Sequence, residues 1–345
     1  MTNGLSGPRK QFLDVLRVLA TCAVVLMHVL TGATDVTDAS IVPEYRSLLL
    51  SVMDLVTWCV PIFLLISGYL FLNPERTLTY PVMIKKYCRR IALAILLFGV
   101  PYAASELVVA ERTFRIRMIP EALKMTLMGH TWSHMWYLYL ILFLYLITPL
   151  LKKVLRVLPV WGVAAVMAVI FLGSSVAPFL NKVLDVNSIP VLPDGGVYFL
   201  YYLCGYFFAV REVCVDKGRN VWLTAAVAVL ALGMILSRTL AGFSIQMAYN
   251  YPFTVLLAVL LFAAGWNGSI KKHRIPWQEA GALSFAVYLV HPVYVNLLYK
   301  FVKITPFTVL EQCGVQSVAA GHVLLLFLLL VFWLLVLALA TATAW

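Results

Sequence analysis

The stretch QFLDVLRVLATCAVVLMHVL, residues 11–30, decides the fold. It is apolar and long enough for a membrane-spanning helix, which needs about 20 residues. Yet it carries Asp14, Arg17, Thr21 and His28. Arg17 and His28 are eleven helical steps apart. At about 100° per step their side chains lie within about 20° of each other, about 16 Å apart along the axis. Asp14 and Thr21 fall on the same stripe, within about 60° of Arg17. Ionisable side chains in a membrane face a bundle interior or a wet cavity rather than lipid. The segment therefore needs partner helices on its polar side, and the stripe suggests a site running through the membrane.

The rest of the chain supplies such partners. Of 345 residues, 63% are hydrophobic and 12% are charged, against about 25% charged in a soluble domain. Ten apolar segments read as helices, at about 12–33, 46–72, 85–108, 134–151, 160–180, 196–211, 220–238, 250–267, 280–301 and 317–343. The sequence predicts an all-α polytopic membrane bundle of about ten transmembrane helices, forming one domain over residues 1–345. The net charge of +11 does not point to nucleic acid, because the basic residues are dispersed over short loops between apolar segments. The six cysteines (Cys22, Cys59, Cys88, Cys204, Cys214 and Cys313) form no C-x-x-C pair. Neither a disulfide framework nor a metal site is expected from them. The first segment is too long for a signal h-region and is interrupted by Asp14 and Arg17, so it reads as a span.

Loop charge sets the expected orientation. Arg9, Lys10, Arg76, Lys85, Lys86, Arg89, Arg90, Lys152, Lys153, Arg156, Arg211, Lys217, Arg219, Lys271, Lys272 and Arg274 fall at one set of helix ends. Arg46, Arg112, Arg115, Arg117, Lys124, Lys182, Arg238, Lys300 and Lys303 fall at the other, a count of 16 against 9. The positive-inside rule places the first set, and both termini, in the cytoplasm. The loop at about 109–133 is then outside. Pro120 suits the start of a short helix there, with Ile119, Leu123 and Leu127 on one face. It reads either as an interfacial helix partly roofing the outer side or as an ordinary connector. The chain ends at TATAW, and the sequence leaves open whether it is the membrane half of a longer protein.

Several residues carry chemistry. His28 lies past the midplane toward the outer side, and an imidazole titrating near pH 6.5 suits a general base. A lone intramembrane His serves equally often to bond a neighbouring helix. Arg17 and Asp14 on its stripe tip the balance to function. Asp54, at a similar depth in the second span, is a candidate partner that would fix the His28 tautomer. Pairing of Asp54 with an outer-loop arginine such as Arg46 is at least as good a reading. The run Lys85-Lys86-Tyr87-Cys88-Arg89-Arg90 enters the third span. Such runs commonly enforce topology or meet anionic lipid, and they would equally receive the phosphates of a cytoplasmic cosubstrate. Ser67, Gly68 and Tyr69 end the second span, where small residues permit either close helix packing or a narrow channel.

His291, in SFAVYLVHPVYV, precedes Pro292. That proline frees a backbone carbonyl one turn earlier, which Tyr288 or His291 could resatisfy. Trp132, His134, Trp136, Tyr137 and Tyr139 cluster at the outer end of the fourth span. They read as an aromatic belt or as a stacking surface for sugar rings. The sequence holds no P-loop, H-E-x-x-H, Rossmann glycine pattern or G-x-S-x-G elbow.

Five stretches resemble the acyltransferase 3 family of integral membrane acyltransferases. They are Arg17-x10-His28, VPIFLLISGYLF at 60–71, KKYCRRI at 85–91, HMWYLYLILFLYLITPLL at 134–151 and AVYLVHPVYV at 286–295. They occur in the family's order across most of the chain. The chain also resembles the membrane portion attached to serine racemases in some vancomycin-resistant bacteria. The resemblance implies transfer of an acyl group, usually acetyl from acetyl-CoA. Its acceptors are commonly sugar hydroxyls of cell-envelope polysaccharide, lipopolysaccharide or lipid-linked glycans. Carried over, His28 is the catalytic histidine, Arg17 its motif partner, and Arg89 and Arg90 candidate CoA-phosphate ligands.

On this reading acetyl-CoA docks from the cytoplasm with its phosphates near Lys86, Arg89 and Arg90. Its pantetheine arm passes Arg17, Ser67 and Tyr69 to bring the thioester to His28. A carbohydrate acceptor arrives from outside past Trp136 and Tyr137, with Tyr288 and His291 on the substrate side. His28 either deprotonates the hydroxyl or is itself acetylated. Membrane lipids are the other expected partners, with no metal and no nucleic acid. The competing class is a transporter, flippase or sensing module using the same His, Asp and Arg groups without covalent chemistry. The absence of a clear internal repeat counts modestly against a transporter.

Overall fold

Helix is the regular structure throughout the described residues of this computed structural model, which are 10–36, 42–210, 217–240, 248–267, 276–315 and 317–345. The predicted cytoplasmic charges Arg9, Arg211, Lys271, Lys272 and Arg274, and Cys214, lie outside them, as do the side chains of Lys217, Arg219 and Arg238. In chain order the helices are α1 (Gln11–Val36), α2 (Val42–Val56), α3 (Cys59–Phe71), a single turn α4 (Tyr80–Val82) and α5 (Arg89–Glu111). Then come α6 (Met118–Leu127), α7 (Trp136–Val157), α8 (Val160–Phe171), α9 (Ala177–Leu184), α10 (Gly196–Val210) and α11 (Lys217–Leu240). The last four are α12 (Pro252–Asn267), α13 (Trp277–Asn296), α14 (Pro306–Gln312) and α15 (Val318–Ala344). Three π-helical turns interrupt this series, at Met83–Cys88, Leu172–Val176 and Leu297–Phe301.

Seven helical stretches among the described residues are long and apolar enough to cross a membrane: Gln11–Val36, Tyr45–Phe71, Tyr80–Glu111, Ser133–Val157, Val160–Leu184, Trp277–Gln312 and Val318–Ala344. Three further apolar stretches, Gly196–Val210, Trp222–Met234 within α11 and Pro252–Gly265, lie among the described residues. They coincide with the sixth, seventh and eighth of the ten predicted spans. The spans leave large apolar side chains on the outside, such as Leu97, Trp161, Val323 and Phe327. In a membrane bundle these are the lipid-facing positions.

The chain divides into two compact units, one of Met1–Ile66, Ala168–Cys204 and Glu212–Trp345, the other of Ser67–Met167 and Gly205–Arg211. In the first, α1 and α13 run parallel. Asp14 lies against Gly281, His28 against His291, and Gly32 against Val295 and Tyr299, so both sequences ascend together. α15 and α2 complete a core with Val29, Leu30, Leu49, Phe307, Leu325 and Val336 fully or nearly fully buried. Local signals set the boundaries here. Thr305 and Thr308 form a capping box at the start of α14, each hydroxyl accepting from the other's backbone N–H, with Pro306 in the first turn. Ser317 caps α15 by accepting from the Ala320 N–H.

In the second unit α6 forms in the predicted outer loop, with Pro120 in its first turn. Its buried face is Met118, Ala122 and Thr126, and Gly99 of α5 lets Thr126 approach closely. The predicted apolar row Ile119, Leu123 and Leu127 is the exposed face of this helix. Arg76 donates to the Leu70 carbonyl at 2.7 Å, and Lys152 of α7 donates to the Asn73 carbonyl, tying the turn after α3 to α7.

Candidate active site

α1 supplies the first part of the site. Arg17 Nη1 donates to Asp14 Oδ1 at 2.9 Å, with the Asp14 side chain 2% exposed and that of Arg17 27% exposed. One helical turn separates the two residues, so helix geometry alone brings them together. Thr21, on the same stripe, donates its hydroxyl to the Arg17 carbonyl at 2.9 Å and so satisfies itself within the helix. Asp14 is enclosed because residue 281 of the neighbouring helix is glycine. A Cβ there would sit 2.9 Å from both Cβ and Oδ1 of Asp14.

Further along the same two helices, the His28 and His291 rings meet with centroids 5.0 Å apart and planes tilted by 49°. His291 is fully buried, and its Nδ1 lies 3.1 Å from the Val287 carbonyl, four residues back. That contact with its own helix holds the orientation of the His291 ring. Tyr288, itself buried, stands 6.2 Å from His291 by ring centroids. The Tyr299 hydroxyl donates to the Val29 carbonyl at 3.3 Å, and Trp333 Nε1 donates to the Cys22 carbonyl at 2.8 Å. These bonds pin α1 from both flanks of His28. Asp54 is buried on α2, which packs beside α1.

The second unit holds the other predicted residues. Ser67 and Tyr69 are buried in the last turns of α3. Lys85 and Lys86 are in the π-helical turn, Arg89 and Arg90 open α5, and all four are exposed. Phe71, Tyr87 and Tyr145 pack edge-on in a cluster with centroids 4.7 to 6.4 Å apart, and Lys86 Nζ stands 5.3 Å from the Tyr87 ring. Arg76, Lys152, Lys153 and Arg156 add four more basic residues to this unit. At the other end of α7, Trp136 is 36% exposed and edge-on to Tyr137 at 6.3 Å. Trp132 stacks flat on Tyr102 at 4.1 Å, with the buried His134 beside them.

Sequence reasoning offered Asp54 as the partner of His28 by depth and missed the His28–His291 pairing, which joins residues far apart in the chain. It also missed Arg76 and Lys152 as braces of the turn after α3. Gly281 carries a signal the sequence did offer, a small residue on a helix that contains an intramembrane His.

Fold and site together define a polytopic helical membrane protein with an ion pair and a histidine pair inside one of its units. The acyltransferase 3 family model, described as an acyltransferase domain, matches residues 10–345, and the chain belongs to this family of membrane acyltransferases. No curated protein and no solved structure matches it.

Proposed function

We propose that the protein transfers an acetyl group from cytoplasmic acetyl-CoA to a hydroxyl of an outward-facing carbohydrate or glycan, in the bacterial cytoplasmic membrane with both termini inside. The observation that carries this reading is the His28–His291 pair on parallel helices, with the Arg17–Asp14 pair at the opposite end of the same interface. Bound acetyl-CoA supplies an activated thioester. His28 accepts the proton of the acceptor hydroxyl as its oxygen bonds to the acyl carbon. The carbon–sulfur bond breaks, and His28 returns the proton to the departing thiolate. His291 stands beside His28 and, with Tyr288, shapes the acceptor side. Asp54 is assigned to orient the catalytic imidazole from the neighbouring helix. Arg17, fixed by Asp14, is a positioning cation for the donor.

The basic groups of the second unit fit the donor's phosphates. Lys86, Arg89 and Arg90 are exposed on adjacent turns, and phosphate favours such charge-assisted bonds. Ser67 and Tyr69 are assigned to the donor arm, and Trp136 and Tyr137 to stacking on the acceptor. The test is release of free thiol by the purified protein from acetyl-CoA, with and without envelope glycan. Glycan-dependent release with acetyl appearing on the glycan is the expected result. A protein that moves the glycan across vesicles and releases no thiol is a transporter.

A further inference from the structure

The helix α6 lies in the link between two spans. The apolar stretch Tyr80–Glu111 ends just before it, and the next begins at Ser133. In a membrane, the end shared by two consecutive spans is the level of the lipid headgroups. α6 presents three faces, and only the first is buried. Met118, Ala122 and Thr126 pack inward. Ile119, Leu123 and Leu127 form the exposed apolar row. The third face borders a cavity of about 560 Å³, lined by Arg117, Glu121 and Lys124 together with Met125, Met128 and His130. At about 100° per residue Lys124 stands about 60° round the helix from Leu127, so the cavity and the apolar row adjoin.

Local structure brings the polar groups to this cavity. Gly129, at φ +78°, ends α6 in a Schellman turn. His130 N–H donates to the Met125 carbonyl at 2.8 Å, and Gly129 N–H donates to the Thr126 carbonyl at 3.1 Å. That turn folds His130 back to the cavity wall. At the other end of α6, Arg117 and Arg115 share the single Glu111 carboxylate, at 3.6 and 3.7 Å. One carboxylate leaves positive charge over between two guanidinium groups. Lys124 has no ion-pair partner among the described residues. Arg117 and Lys124 outnumber Glu121, so the lining is net positive. Phosphate is the anion that such groups hold best, through charge-assisted bonds. A soluble phosphate would leave the apolar row bare. A lipid fills both, with its phosphate among the cations and its chains on the row.

We infer that this cavity holds the phosphate of an anionic glycerophospholipid whose acyl chains lie along Ile119, Leu123 and Leu127. The inference is independent of acyl transfer and of which side of the membrane α6 is on. The experiment uses the full chain, purified in detergent and stripped of lipid. A phosphatidylglycerol with a photoreactive acyl chain is added, and its cross-links are mapped by mass spectrometry. They should concentrate in residues 114–131. Unlabelled phosphatidylglycerol should compete for them, while phosphatidylcholine with the same chains and soluble glycerol phosphate should compete at least roughly tenfold more weakly. Arg117→Gln combined with Lys124→Gln should weaken the lipid roughly tenfold, two charge-assisted bonds being lost. Both side chains are exposed, so the melting midpoint should stay unchanged. Lys124→Gln alone should weaken the lipid by less, which serves if the double variant does not fold. Leu123→Ser combined with Leu127→Ser should also weaken it severalfold, an effect that a site for a soluble anion would not show. Cross-links spread evenly over the lipid-facing helices, equal competition by phosphatidylcholine, or unchanged affinity in the charge variants overturns the site. Glycerol phosphate competing as strongly as the lipid makes it a soluble-anion site and overturns it equally.

Discussion

On the proposed mechanism His28 is the base and His291 the ring that positions it. With Nδ1 held by the Val287 carbonyl, His291 keeps a fixed ring orientation beside His28. His28→Ala should lower acyl transfer by at least about a hundredfold, the range of a lost general base. His291→Ala should lower kcat by roughly tenfold with little change in acetyl-CoA affinity, as for a residue that positions its neighbour. Steady-state thiol release on protein purified in normal yield separates the two, and an active His28→Ala variant sinks the base assignment. Arg17→Ala is a different kind of lesion. It leaves the Asp14 carboxylate buried without its guanidinium, which for a buried pair costs about 3–5 kcal/mol. Arg17 is partly exposed, so the low end of that range is expected in a denaturation midpoint. Removal of both charges, Asp14→Asn with Arg17→Gln, should recover stability without recovering activity. The Arg17–Asp14 pair was legible in the sequence because one helix carries both residues and 3.6-residue geometry fixes their phase. His291 was visible as an intramembrane His, yet its place beside His28 depends on how two distant helices pack. Depth alone suggested Asp54 as the partner of His28 and left its pairing with Arg46 at least as good a reading.

At the scale of elements, helix identity was legible and helix irregularity was not. Long apolar runs marked the spans, and Pro120 together with an apolar row marked α6. The orientation of that row was not determined by its pattern. Ile119, Leu123 and Leu127 face outward because Met118, Ala122 and Thr126 fit the groove opened by Gly99. In a membrane interface an exposed apolar face is stable where in water it would not be. The π-helical turns carry no composition signal, since a single shifted hydrogen-bond register can occur in many apolar sequences. The close approach of α1 and α13 at Gly281 is what brings the candidate residues of the two helices together. Gly281→Val should destabilise the protein by about 1–3 kcal/mol through forced separation of the helices, read as a lower melting midpoint. Gly233 of α11 faces open space within 4 Å of its Cβ direction. Gly233→Ala should be neutral or slightly stabilising through helix propensity, and equal losses at both glycines would remove the packing explanation.

For the whole molecule, the question is which ends face the cytoplasm. Parallel packing of α1 and α13 agrees with the first and ninth of ten alternating spans, since both would ascend in the same direction. The loop charges, 16 against 9 by the sequence count, add the absolute sense. In a background without native cysteines, single cysteines at Arg115 or Lys124 should react on intact cells with a membrane-impermeant thiol reagent. Cysteines at Lys85 or Lys153 should react only after the membrane is opened. All four positions are exposed, so accessibility within the protein does not confound the comparison. Neutralising Arg89 and Arg90 together should then weaken CoA binding at least roughly tenfold, because two charge-assisted bonds to phosphate are lost. Calorimetric titration measures this without reference to any acceptor. Reversed labelling would put Lys85, Lys86, Arg89 and Arg90 outside, away from acetyl-CoA, and the donor assignment would fall even if the CoA titration still showed an effect. Labelling in the expected sense with unchanged CoA affinity would instead return the run to a topological role, and the donor's phosphates would have to be sought among Arg76, Lys152, Lys153 and Arg156.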